Sequence, residues 1–167
     1  SDTDDDLSFD VEVLQLASPQ INTGNYLQDS GLSIKPGSYS FDLSTTLCTY
    51  EFQFNVDPAD TNYSIQQKLV HLINTSNIGL HATLVKNDSG ANAMQIVSSQ
   101  TGIGDDTGSL FSIRPAPDHG SIKAMQTLGF DQISEDAKNS VFLLNGTEHS
   151  SFSNTFTVNN AFSLTLK

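Results

Sequence analysis

The sequence predicts an α+β fold, predominantly antiparallel β, with one amphipathic helix over about residues 64–76 and a short second helix over about 121–128. Three observations support this prediction. Apolar and polar residues alternate along many short segments, turn-forming residues separate those segments, and one longer segment has apolar residues at helical spacing. Alternation with a period of two buries one face of a sheet and exposes the other. The 167 residues suffice for one ordinary domain or two small lobes.

The clearest strand segment is residues 50–56, in which four apolar side chains alternate with three polar ones. Weaker alternation recurs at 9–13, 39–43, 94–96, 111–113, 156–158 and 162–166. Between such segments, Asn145-Gly146 predicts a tight hairpin turn, because this pair tolerates the positive φ that two-residue hairpin loops require. Further turns are predicted at 35–37, 87–90 and 102–108, where Gly, Pro, Asn and Asp cluster.

The longer helix is predicted from an apolar stripe at offsets of three and four residues. Its members are Ile65, Leu69, Leu72 and Ile73. Ser64 and Gln67 have the spacing of a capping box, which predicts the start of the helix at Ser64. Asn77 and Gly79 are suited to end it.

The second helix is predicted over 121–128, with Ile122, Met125 and Leu128 facing inward. Gly129 follows at the position where a glycine commonly caps a helix C-terminus. The predicted strand segments together contain more residues than the two predicted helices, so β-structure dominates the predicted fold.

The charge of the chain excludes several classes of partner. The net charge is −12, with only seven Lys and Arg residues, whereas nucleic acid and anionic membrane surfaces are bound by clustered basic residues. No apolar segment approaches the roughly 20 residues of a membrane-spanning helix. Abundant Ser, Thr, Asn and Gln are typical of exposed, β-rich secreted or surface proteins. Cys48 is the single cysteine and cannot close an intramolecular disulfide.

No arrangement of residues predicts catalysis or metal binding. The histidines lie apart, without metal-ligand spacing to one another or to Cys48. Residues 118–121 (Asp-His-Gly-Ser) contain the letters of a catalytic triad, but triad members act from separate elements and not from one turn. We therefore expect no enzymatic activity, no cofactor and no metal site.

Three segments carry motifs that occur together in one family. Residues 11–20 read VEVLQLASPQ, residues 50–102 contain a strand, a helix ending in Ile73-Asn74 and two further strands, and the tail contains LLNG at 143–146 and SNT at 153–155. Together they resemble the bacterial flagellar filament cap protein, hook-associated protein 2. The middle segment resembles the flagellin hook IN motif. The sequence departs from the family pattern at Leu144, Phe152 and Ala161, where Val, Ser and Gly are usual.

The Ile73-Asn74 pair also has a physical interpretation independent of the family. Ile73 completes the buried stripe of the helix, and Asn74 lies where its amide can bond the carbonyls freed at the helix C-terminus. We therefore interpret the segment as a strand–helix–strand packing unit. Ile73, Asn74, Asn145 and Gly146 are the structural residues predicted from the sequence.

The resemblance implies a structural role at the bacterial flagellum. In the family, this region forms the head of a filament cap, which supports the assembly of exported flagellin at the filament tip outside the cell. The implied partners are flagellin and other copies of the chain. The long terminal helices of the family have no counterpart here, so either they lie outside this sequence or the protein is cap-like without them.

Two alternatives come from other functional classes. An outward-facing adhesin lobe would bind host mucin or glycan, and Tyr26 and Tyr63, which lie outside the alternating segments, are its candidate contacts. A domain of another hook-associated protein or of a flagellin would carry the same hook motif. A carbohydrate-cleaving enzyme would need two carboxylates about 5–10 Å apart across one cleft.

The sequence also suggests a domain organisation. We expect residues 1–8 to be a disordered acidic lead-in, 9–47 plus 116–167 to form a discontinuous β-rich lobe, and 48–115 to form a hook-motif lobe. A single elongated unit is the alternative.

Overall fold

The computed structural model describes residues 9–103, 108–158 and 162–167, and the expected acidic lead-in at 1–8 lies outside this range. It contains two helices and mostly antiparallel strands, which confirms the predicted fold class. The strands are β1 (Val11–Gln15), β2 (Pro19–Thr23), β3 (Gly37–Thr45), β4 (Thr49–Val56), β5 (Leu80–Lys86), β6 (Asn92–Thr101), β7 (Phe111–Pro115), β8 (Ile133–Glu135), β9 (Ser140–Leu144), β10 (Thr147–Ser151), β11 (Thr155–Val158) and β12 (Phe162–Thr165). The helices are α1 (Asn62–Thr75) and α2 (His119–Leu128). Among the described residues, neither helix is long and apolar enough to cross a membrane.

The chain divides into two compact units. Unit 1 comprises the described parts of residues 1–19, 101–108 and 137–167, and unit 2 comprises 20–100 and 109–136. This division differs from the expected lobes, because β3 lies between β4 and β7 in one antiparallel sheet. A strand hydrogen-bonded on both sides to residues of 48–115 belongs with them.

Unit 2 consists of two sheets and both helices. One sheet has the strand order β4-β3-β7, and the other has the order β5-β6-β2-β8. In the first sheet, Phe41 is paired with Phe52 of β4 and Pro115 of β7. The buried apolar side chains of the unit form one hydrophobic core to which both sheets and both helices contribute. Its largest fully buried members include Phe41, Phe111, Phe130, Leu43, Ile65, Leu69, Ile73, Met94, Ile96 and Leu128.

Helix α1 begins two residues before the predicted start. Its N-cap is Thr61, whose hydroxyl accepts a hydrogen bond from the Ser64 backbone N–H at 3.1 Å, while the Ser64 hydroxyl accepts from the Thr61 N–H at 2.8 Å. The predicted capping box of Ser64 and Gln67 was therefore wrong, since Ser64 occupies the N3 position of the box and not its N-cap. Asn77 and Gly79 follow the helix with φ of 54° and 80°, as expected of residues that end it.

Helix α2 begins after the N-cap Asp118 and ends at Gly129, which has φ 69° and donates its N–H to the Met125 carbonyl. The predicted glycine cap is thus confirmed. The predicted inward orientation of Ile122 is wrong, because its side chain is 38% exposed. Ser121 is buried instead, and its hydroxyl accepts a hydrogen bond from the Ser40 N–H at 3.0 Å. This bond fixes the face of α2 that packs on β3.

The cap of α2 gives a testable pH dependence. The Ser121 backbone N–H donates to the Asp118 carboxylate at 2.8 Å and holds the pKa of that carboxyl below its ordinary value. A carboxyl whose pKa is lower in the folded state stabilises the fold above its unfolded pKa, and this stabilisation is lost as the pH falls from about 5 through the folded pKa.

Asp118→Asn retains a capping oxygen but does not titrate. We therefore expect its melting temperature to match that of the wild type at pH 7 and to fall less between pH 5 and pH 2. Thermal unfolding followed by circular dichroism across this range measures the difference. Asp136→Asn, which removes the same charge at an exposed carboxylate, is the matched control. Parallel profiles for Asp118→Asn and the wild type would show that the cap contributes nothing to acid sensitivity.

Unit 1 consists of the antiparallel sheet β1-β9-β10 and the hairpin β11-β12. Aromatic rings stack within it: the Phe142 centroid lies 4.6 Å from that of Phe156 and 5.6 Å from that of His149. The predicted hairpin at Asn145-Gly146 is confirmed, with φ of 51° and 82° at the two turn residues and Leu144 paired with Thr147.

Candidate functional site

Ile73 and Asn74 lie at the end of α1, in unit 2, with different surroundings. The Ile73 side chain has no exposed surface and belongs to the core together with Ile65 and Leu69. These three residues lie four apart along the helix and therefore share one face. Ile78 and Leu80, which follow the helix, pack against the same core. Ile73 is thus a packing residue.

The Asn74 side chain pairs with a strand backbone. Its amide nitrogen donates to the Ala82 carbonyl at 2.9 Å, and its amide oxygen accepts from the Ala82 N–H at 2.7 Å. Strand β5 has a single neighbour in its sheet, so the outer edge of the strand carries backbone groups without a strand partner. Asn74 satisfies two of them as a neighbouring strand would. The expectation that its amide bonds the helix C-terminal carbonyls was wrong, because β5 passes within reach of the side chain.

Asn145 forms a similar bridge in unit 1. Its amide oxygen accepts from the Asp10 N–H at 3.0 Å, and its own backbone N–H donates to the Asp10 carbonyl at 2.8 Å. The hairpin turn therefore also holds the segment that leads into β1. Gly146 completes the turn, and a Cβ added there would meet no atom within 4 Å, so its positive φ is what favours glycine.

Asn154 is a residue of the same kind whose role the sequence did not predict. Its amide oxygen accepts from the Ala17 N–H at 2.7 Å, and its amide nitrogen donates to the Ala17 carbonyl at 3.0 Å. The geometry repeats that of Asn74 and Ala82. A side-chain amide presents an N–H donor and a carbonyl acceptor side by side in one plane, which matches the N–H and carbonyl of a strand residue. Asn-mediated backbone pairing therefore occurs in both units.

A second set of amides is buried in unit 2. Gln20 is 1% exposed; its amide nitrogen donates to the Phe111 carbonyl at 2.9 Å, and its amide oxygen accepts from the Leu110 N–H at 2.8 Å. Asn22, with no exposed surface, donates to the Phe130 carbonyl at 3.1 Å. Buried polar groups of this kind are stabilising only when they are bonded. Nothing in the sequence indicates this network beyond two polar residues that alternate along a short segment.

The candidate ligand contacts are both on the surface. Tyr26 is 47% exposed in the segment after β2, and Tyr63 is 38% exposed in the first turn of α1. Their accessibility is compatible with stacking on a sugar ring. Their assignment as glycan contacts stays a prediction.

The residues with triad letters have structural positions. Asp118 caps α2, and Ser121 is 3% exposed and bonded to β3. Within the ranges 9–103, 108–158 and 162–167, no group of three or more His, Cys, Asp and Glu side chains could hold a metal ion. Part of the predicted glycine-rich turn at 102–108 lies outside these ranges.

Comparison with solved structures shows that this fold is similar to that of the D2–D3 domains of bacterial flagellar cap proteins. The D2–D3 domains of FliD from Escherichia coli match 95% of this chain and 81% of their own, with a TM-score of 0.68 and 16% identity. FliD from Bdellovibrio bacteriovorus matches 94% of this chain and 84% of its own, with a TM-score of 0.59 and 20% identity. No protein-family model matches the sequence, and neither does any curated protein.

A longer Escherichia coli structure shows which part of a cap protein is matched. The D1–D2–D3 domains of FliD again match 95% of this chain, but only 47% of their own length, with a TM-score of 0.63. Adding D1 lowers the matched share without extending the match. The chain therefore has the fold of the D2–D3 portion.

Proposed function

We propose that this chain is the head region of a flagellar filament cap protein and supports flagellin assembly at the filament tip, outside the cell. The observation that carries the proposal is the match of 95% of the chain to FliD D2–D3 domains at a TM-score of 0.68. At 16% identity this likeness concerns the fold. The cap-like motifs at 11–20 and 141–155 are an independent, sequence-level support.

Within this proposal, residues 50–102 form a flagellin hook IN motif. Ile73 fills the core, and Asn74 bonds the edge of the strand that follows the helix. Both residues of the pair thereby have roles that hold the strand–helix–strand unit together. The motif acts through packing and backbone pairing, and the proposal involves no covalent chemistry.

The proposed partners are flagellin and further copies of the same protein. With a net charge of −12, neighbouring heads repel one another, and this repulsion is screened by salt. Contacts between heads should therefore be weak at low ionic strength and strengthen as salt is added.

The proposal is tested by removing the gene from its bacterium. We expect short or absent filaments and unassembled flagellin in the medium, measured by electron microscopy and by immunoblotting of culture supernatant. Complementation with the intact gene should restore filaments, whereas the gene lacking residues 9–167 should not. Filaments of normal length in the deletion strain, with no flagellin lost to the medium, would refute the proposed function.

A further inference from the structure

A small pocket opens between α2 and the segment that leads into β3. Its volume is about 190 Å³. The floor is apolar: Ile34 and Ala124 are each 4% exposed, and Tyr39 is 9% exposed. The Tyr39 hydroxyl donates to the Lys35 carbonyl, so the ring is held in place while its hydroxyl is already bonded.

Basic side chains line the same pocket. Lys35 lines the pocket from the loop, and His119 and Lys123 line it from α2. The latter two are four residues apart and share one face of the helix. Among the described residues, neither lysine has a carboxylate within 4 Å, whereas Lys68 pairs with Asp60 at 3.3 Å and Lys86 with Asp29 at 3.7 Å.

The placement of two lysines at one pocket is distinctive in this composition. The chain has 19 acidic and only seven basic residues, and two of those seven, Lys35 and Lys123, line this pocket. The acidic residue nearest to Lys123 in sequence, Asp118, accepts a hydrogen bond from the Ser121 N–H and caps α2. Two unpaired ammonium groups beside a concave apolar surface have the properties of a site for an organic anion.

We propose that this pocket binds a small organic carboxylate with one flat apolar face. The carboxylate lies between the ammonium groups of Lys35 and Lys123, and the body of the ligand rests on Tyr39 and Ile34. The volume is below the roughly 300–1,000 Å³ of pockets for drug-sized molecules, which limits the ligand to about one ring. A sugar acid and an aromatic acid share this chemistry. The site is independent of the proposed role in filament assembly.

Binding is tested by NMR titration of the intact chain with four probes: D-glucuronate, benzoate and their neutral counterparts D-glucose and benzyl alcohol. We expect at least one acid to shift the amide signals of residues 33–39 and 119–127, with an affinity about tenfold or more above that of its neutral counterpart. The acid that binds more tightly shows whether the pocket prefers a sugar acid or an aromatic acid. Failure of both acids, or equal binding of inorganic phosphate, would overturn the proposal.

Three substitutions in the pocket locate the site, and a fourth outside it is the control. Lys35→Gln and Lys123→Gln should each weaken acid binding about tenfold, and Lys138→Gln, an equal loss of charge at an exposed lysine of unit 1, should leave it unchanged. Gly120→Ala narrows the pocket, because the new Cβ would lie 3.3 Å from Tyr39 Cε1. Alanine favours the helix and the close contact with Tyr39 opposes this gain, so binding is compared at a temperature at which the variant is folded, and it should weaken. Equal losses in the Lys138 variant would identify a diffuse charge effect and refute the site.

Discussion

Replacing Phe41 with alanine is expected to lower the free energy of unfolding of unit 2 by about 3–5 kcal/mol. Phe41 has no exposed surface, and its ring centroid lies 5.2 Å from those of Phe52 and Phe130 and 6.2 Å from that of Phe54. Truncation removes the buried ring from the middle strand of a sheet and leaves a cavity that three other rings border. The backbone of β3, bonded on both sides, restricts the collapse that would refill it.

Urea unfolding followed by circular dichroism, with hydrogen exchange at β3, measures this loss within unit 2. Leu47→Ala, at the tip of the β3–β4 hairpin, is the control: Leu47 is 88% exposed, and its truncation should change the free energy by less than about 0.5 kcal/mol. If Phe41→Ala cost under about 1 kcal/mol, the ring cluster would not be the centre of the core.

Replacing Asn74 with alanine is expected to lower the free energy of unfolding by about 2–4 kcal/mol. The Ala82 N–H and carbonyl lose the two bonds they make with the amide, and a buried backbone group left without a partner costs about 1–3 kcal/mol. Ala82 is 1% exposed while the Asn74 side chain covers it. Helix propensity opposes the loss only slightly, by a few tenths of a kcal/mol.

The measurement is equilibrium unfolding in urea, with hydrogen exchange of the Ala82 amide as a local readout. Gln67→Ala is the matched control, since Gln67 is exposed on the same helix and its side-chain amide has no hydrogen bond to any described residue. Faster exchange at Ala82 should accompany the loss of stability. An unchanged exchange rate would mean that water replaces the side chain and that the pair is not needed.

Much of the fold could be predicted because its signals are local. The alternation at 50–56, the apolar stripe of α1, the asparagine–glycine turn and the glycine cap at Gly129 each depend on a few neighbouring residues. Their physical causes, side-chain burial and the sign of φ, can be recognised in the letters themselves. The predicted start of α1 failed for the same reason, because Ser64 suits either position of a capping box.

The parts that could not be predicted depend on distant residues. The pairing of β3 with β7 joins residues about 70 apart in sequence, and no local pattern in the sequence indicates it. Strand β2 buries its polar side chains Gln20 and Asn22, where apolar ones are usual, because their amides donate to the carbonyls of Phe111 and Phe130. The candidate site was predictable in part. The burial of Ile73 follows from the periodicity of the helix, whereas the partner of Asn74 depends on where β5 lies.

The pairing of β1 with β9 has a consequence for the time course of folding. Val11 pairs with Leu144, while unit 2 needs only residues between 20 and 136. If the N-terminus of the chain emerges first, unit 2 can therefore fold while β1 still lacks its partner strand β9. Closing a loop of this length is entropically costly and slow. In quenched-flow refolding with pulsed hydrogen exchange, amide protection should thus develop first in β3 and α1, and last in β1.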